Sequence, residues 1–215
     1  MVLLNMQRAQ WYFDFISPFS YLQLSKVLRW RKQLDITPVP ILFGAVLQHH
    51  GQLGPAEIKG KREFTYRMVQ WQAEHEGATL RFPPAHPFNP VAALRLCIAA
   101  GTTWRSIETI FAHIWRDGRA AATPDDLADA GRALGIENVE VAANTPEVKA
   151  QLRANTEAAI AAGVFGVPTL SCGEQMFWGN DASAMIEDWL AHPARFDTAE
   201  YGRIANLPQG IERRR

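Results

Sequence analysis

The chain has 215 residues, 47% of them hydrophobic, and Lys plus Arg equals Asp plus Glu at 22 each. That suits one globular unit, or one core carrying a large insert, and the balanced charge gives no electrostatic reason to expect a nucleic acid or an anionic membrane as partner. Only Cys97 and Cys172 are present, without CxxC spacing or histidines at ligand intervals, so neither a redox dithiol nor a metal site is expected and both read as small buried apolar residues.

No N-terminal stretch has the basic start, apolar run and small-residue cleavage site of a signal peptide, and no apolar run approaches the ~20 residues of a membrane helix. A cytoplasmic protein is the expectation. Residues 11–16, Trp-Tyr-Phe-Asp-Phe-Ile, are aromatic and β-branched enough for a buried strand. Ser17 then supplies an N-cap and Pro18 the first position of a helix that carries Tyr21, Leu22, Leu24, Val27, Leu28 and Trp30 and runs to about residue 32. Residues 36–43 read as a second strand, interrupted by Pro38 and Pro40.

From residue 44 to residue 160 the period becomes helical, with Phe64, Met68 and Trp71 as one apolar stripe and Trp104, Ile107, Phe111 and Ile114 as another. Asn89-Pro90, Thr123-Pro124 and Thr145-Pro146 are cap-plus-proline starts, and Gly118, Gly135 and Gly163 sit where helices should end. Residues 169–172 and 175–178 read as short strands and 183–190 as a closing helix. The seven tryptophans are expected mainly in the core, His49 and His50 at the surface or in a loop, and Arg213, Arg214 and Arg215 as a solvated end. The ends of the chain thus supply β-α-β and β-β-α around an all-helical middle, which makes the class α/β.

That division matches a thioredoxin-like core with a helical insert, and the residues at its joints sharpen the match. Phe13-Asp14-Phe15-Ile16-Ser17-Pro18-Phe19-Ser20-Tyr21, Phe165-Gly166-Val167-Pro168-Thr169, Phe177-Trp178-Gly179-Asn180-Asp181 and, in the insert, Pro84-Ala85-His86-Pro87-Phe88-Asn89-Pro90 together resemble the 2-hydroxychromene-2-carboxylate isomerases and the related kappa-class glutathione transferases. The resemblance implies a thioredoxin-like glutathione-binding domain from residues 1–43 and 161–215 and a helical insert from 44–160. It also implies glutathione as cofactor, a small aromatic substrate and a homodimer.

Ser17 alone reads as a helix cap. After the first strand of such a core, however, a helix N-terminus offers free N–H groups and roughly half a positive charge. A thiolate supplied from outside would be stabilised there, with the Ser17 hydroxyl donating to sulfur. The resemblance further implies a cis Pro168 that leaves the Val167 main chain to pair with the glutathione cysteinyl unit, and Asp181, with Asn180 beside it, meeting the γ-glutamyl end. As a plain residue Asp181 reads as the N-cap of the last helix. Lys61 matches a family lysine near the glycyl carboxylate, or is an exposed helix lysine; Gln52 stands where relatives often carry asparagine. His86 and Asn89 are candidates for the substrate pocket, with Asn89 as a plain N-cap the alternative.

Relatives on the isomerase side tend to carry a tyrosine, an aspartate and an arginine where this chain has Phe64, Met68 and Trp71, and an arginine where it has Ala182. The activity implied is isomerisation through thiolate addition, ring opening and bond rotation in aromatic-compound catabolism. A kappa-like transferase that leaves glutathione on an electrophile shares the first step. A non-catalytic glutathione- or peptide-binding protein is the reading from outside enzymology.

Overall fold

The structure is a computed structural model that describes residues 6–211; Arg213, Arg214 and Arg215 lie outside that range. Four strands, β1 (Gln7–Phe13), β2 (Leu34–Pro40), β3 (Thr169–Cys172) and β4 (Gln175–Trp178), form one sheet in the order β2-β1-β3-β4. β1 pairs parallel with β2, from Gln7 opposite Leu34 to Phe13 opposite Pro40. It pairs antiparallel with β3, Tyr12 facing Thr169, and β3 pairs antiparallel with β4. β2 is an edge strand, and this is why Pro38 and Pro40 are tolerated in it: the missing N–H costs no ladder bond on the open side. The strand is shorter than residues 36–43, because Phe43 already opens the next helix.

The helices are α1 (Pro18–Trp30), α2 (Phe43–His49), α3 (Lys61–Glu76), α4 (Val91–Ala99), α5 (Trp104–Phe111), α6 (Ala128–Ala133), α7 (Val139–Ala143), α8 (Pro146–Ala161), α9 (Ser183–Ala191) and α10 (Ala199–Ala205). Thr145 caps α8 through its hydroxyl, as the Thr-Pro pair implies. Gly118, Gly135 and Gly163 all adopt positive φ. β1 is covered on both faces and its side chains alternate between two cores. Trp11 and Phe13 stack at 4.6 Å and join a core that includes Leu24, Val27, Leu94, Ile107, Phe111 and Leu170. Tyr12 points the other way, among Val39, Ile41, Val46, Ala159, Val164 and Val167. The first core runs from the sheet into the insert without a break.

One apolar stripe is turned round. Ile107, Phe111 and Ile114 are fully buried, as their spacing predicts, but Phe64 and Trp71 of α3 are each 59% exposed. The buried side of α3 is instead Thr65, Val69 and Ala73, where Val69 and Ala73 pack on Leu22 of α1. Two helices in close contact favour small side chains between them, so the small face goes in and the aromatic face goes out. Cys97 and Cys172 are both buried and unpaired. Among the described residues no helix is long and apolar enough to cross a membrane, and no group of three His, Cys, Asp or Glu is placed to hold a metal ion.

Candidate functional site

Ser17 caps α1 with extended backbone angles, and its Oγ accepts the Ser20 N–H at 3.2 Å. With that lone pair engaged, the hydroxyl proton is left to donate, and accepting one bond strengthens it as a donor. Pro18 has no N–H, so Phe19 carries the free main-chain donor of the first turn. An anion at this point meets a hydroxyl, an amide and the positive end of a 13-residue helix.

The turn that aims Ser17 has a partner for every carbonyl. The Asp14 carbonyl accepts the Ser17 N–H at 3.1 Å, the Phe15 carbonyl accepts the Trp115 indole N–H at 2.8 Å, and the Ile16 carbonyl lies 2.8 Å from His86 Nε2. Trp115 and His86 both come from the insert, so the insert holds the turn in shape. The Asp14 carboxylate accepts from Ile16 N–H at 3.1 Å and Phe43 N–H at 2.9 Å, tying the turn to the start of α2. Burial pushes the Asp14 carboxyl up to about 7, against the pull of its backbone hydrogen bonds. An aspartate inside an aromatic strand run was the sequence signal for this group; nothing in the sequence singled out Trp115.

The Val167–Pro168 peptide bond is cis. The β1–β3 register, continued one position beyond Tyr12 and Thr169, brings the end of β1 against Pro168. The Pro168 carbonyl accepts from Gly179 N–H at 2.8 Å, and Gln23 Nε2 of α1 donates to the Gly179 carbonyl at 2.9 Å. Among the described residues the Val167 N–H and C=O make no hydrogen bond, which leaves a short extended stretch able to receive a ligand's main chain. Gly166 is required here, because a methyl group would run into the indole of Trp178. Trp178 and Phe165 meet edge to face at 5.2 Å on the exposed rim. His50, expected at the surface or in a loop, lies in the turn that ends α2, is half-buried and reaches the Val164 carbonyl at 3.3 Å.

The other sequence-predicted residues divide. Asn180 is 4% exposed and its amide is fully used: Oδ1 accepts from Lys26 Nζ at 2.8 Å, while Nδ2 donates to Gln72 and Glu76 at 3.2 and 3.3 Å. It clamps α1, α3 and the loop after β4 together. Asp181 is exposed and is not the cap of α9, whose N-cap is Ala182 without a side-chain bond. Its carboxylate instead folds against Gly179, held at φ +93. Lys61 is exposed at the first position of α3, and Gln52 is exposed in the loop after α2. Asn89 Oδ1 accepts Val91 N–H at 3.1 Å and lines a hollow of about 190 Å³ with Arg95 and Asn144, a hollow that Ser17 does not line. A larger hollow of about 350 Å³ lies by His113, Arg116 and Asp129, also without Ser17.

Residues 9–191 match the family model of the DsbA-like thioredoxin domain. The chain belongs to the DsbA-like thioredoxin family. Within it, this family member is 30% identical over 195 residues to a 2-hydroxychromene-2-carboxylate isomerase of Pseudomonas sp. (strain C18), covering 84% of this chain and 88% of that protein. It is 25% identical over 211 residues to glutathione S-transferase kappa 2 of Caenorhabditis elegans, covering 88% and 94%. Among solved structures it is similar to a 2-hydroxychromene-2-carboxylate isomerase, with a TM-score of 0.75, 26% identity, and 88% and 97% of the two chains covered. Serines stand at positions 17 and 20, on the first turn of the first helix, so this family member has no thiol pair there.

Proposed function

We propose that the protein is a glutathione-dependent isomerase of the 2-hydroxychromene-2-carboxylate type. The observation that carries this reading is the pairing of a serine hydroxyl free to donate at the N-terminus of α1 with an unpaired Val167 main chain beside the cis proline. That pair is what a thiol-bearing peptide needs: a donor for its sulfur and an edge for its backbone. When bound, glutathione would supply a thiolate able to add reversibly to a conjugated substrate, so that a double bond becomes single, rotates and re-forms. Ser17 and the Phe19 N–H would hold the sulfur as an anion, Val167 would fix the cysteinyl unit, and Asp181 and Lys61 would meet the charged ends. Asn180 would act by holding Asp181 and Gly179 in place. The reading carries with it a cytoplasmic setting, a homodimer and a role in aromatic-compound catabolism.

A kappa-like transferase is favoured by one observation: the exposed Phe64 and Trp71 on α3 offer an apolar electrophile an aromatic surface. Incubation with 2-hydroxychromene-2-carboxylate, with and without glutathione, separates the two, since isomerisation needs catalytic glutathione whereas conjugation consumes it. Replacing Ser17 by alanine should slow turnover roughly a hundredfold, the size of effect seen when one donor to a reacting anion is removed. It should also raise the apparent pKa of bound glutathione. Unchanged kinetics in a folded Ser17→Ala protein would remove Ser17 from the mechanism.

A further inference from the structure

His86 touches the turn that carries Ser17. Its ring is wedged among Tyr66, Phe82, Phe88 and Trp115 with centroids 5.3, 6.2, 6.2 and 5.4 Å away. Nε2 faces the Ile16 carbonyl at 2.8 Å. A carbonyl can only accept, so the proton sits on Nε2 and Nδ1 carries the lone pair of the neutral ring. Tyr66 Oη lies 2.7 Å from Nδ1 and 2.7 Å from the His86 carbonyl, with one proton to give. Arg62 Nη2 also donates to that carbonyl at 2.9 Å, with its guanidinium 5.4 Å from the Tyr66 ring. The carbonyl therefore keeps a donor when Tyr66 turns its proton to Nδ1, which has no other donor among the described residues. Burial and the nearby Arg62 charge both lower the His86 pKa, which keeps the ring neutral at pH 7.

The Ile16 carbonyl and the Ser17 N–H belong to one rigid peptide plane. Its N–H end is held by the Asp14 carbonyl at 3.1 Å and its oxygen end by His86. Fixing both ends of the plane fixes the Ser17 N–Cα bond, the axis from which its side chain is set. We propose that His86 is a positioning residue for Ser17, set by a Tyr66–Arg62 relay on α3 that locks its tautomer and orientation. The proposal rests on the glutathione reading, since what Ser17 is aimed at is the sulfur.

The test measures kcat, KM and the thiolate absorbance of bound glutathione against pH for the native protein, Tyr66→Phe, His86→Leu and His86→Gln. Tyr66→Phe keeps the ring and its packing, so it stays informative should His86→Leu fail to fold. The expected result is a roughly tenfold fall in kcat for Tyr66→Phe and His86→Leu, the scale of a small misplacement of a reacting group. KM should change little, the apparent thiol pKa should rise, and His86→Gln, which retains a donor for Ile16, should recover part of the loss. A native protein that binds glutathione as thiolate while Tyr66→Phe and His86→Leu, or Tyr66→Phe alone if His86→Leu is unfolded, leave kcat and thiol pKa unchanged would overturn this assignment and spare the glutathione reading. A native protein with no thiolate signal would overturn both.

Discussion

Replacing Asp14 by asparagine should flatten one limb of the dependence of stability on pH. The Asp14 side chain is fully buried in the turn before Ser17, and burial raises its pKa from 3.8 to about 7. Between those values the unfolded chain has released the proton while the folded chain still holds it, so the folded state binds more protons and stability falls as pH rises. The fall starts near pH 4, ends near pH 7 and levels off above it. At about 1.4 kcal/mol for each pH unit separating the two values, the loss is roughly 4 kcal/mol. His86 acts oppositely: its folded pKa is lowered, so its contribution is lost as pH falls through the ordinary histidine range. The informative quantity is therefore the difference between native and Asp14→Asn unfolding free energies, from urea titrations at several pH values. Asparagine turns an N–H donor toward either Ile16 or Phe43, a pH-independent penalty of about 1–3 kcal/mol. The native advantage should be largest near pH 4 and shrink by several kcal/mol by pH 8. Parallel curves for the two proteins across that range would refute the raised carboxyl pKa and the desolvation argument behind it.

Ser20 Oγ is buried on the first turn of α1 without a hydrogen-bond partner, and the carbonyl four residues earlier, its usual acceptor, is engaged by His86. Ser20→Ala should therefore raise stability by about 1 kcal/mol, read as a shift in urea midpoint at constant slope; a loss would show that the hydroxyl is satisfied after all. Lys26→Met should cost about 2 kcal/mol, because it strips a bond from Asn180 and from the half-buried Glu76, 2.7 Å away. A change below the scatter of thermal unfolding data would mark that clamp as a surface pair. Cys97, whose thiol burial pushes up to about 12, and the buried Cys172 should both resist a thiol reagent until the chain unfolds. Stoichiometric labelling of the native protein would contradict that burial.

Much of the fold was legible because local signals agreed with one another. The aromatic run before Ser17 marks a strand that ends at Phe13, with residues 14–16 in the turn, while the Ser-Pro start of α1, the Thr-Pro start of α8 and the two short strands after Pro168 each state their structure within a few residues. Phe64, Met68 and Trp71 were misleading for a definite reason: periodicity marks a stripe but not which way it faces. The helix turned its small residues Thr65, Val69 and Ala73 inward to approach α1.

The sequence by itself determined the elements, their order and the serine at the start of α1, since strand patterning, capping and turn chemistry act over a handful of neighbouring residues. Only the tertiary structure decided what holds that serine in position. His86 and Trp115 reach the turn from 70 and 100 residues away, Asn180 is consumed by a clamp with Lys26, and Asp181 is released from capping. Each is a matter of which polar group finds which partner after packing, and no local pattern encodes a hydrogen bond between residues so far apart along the chain.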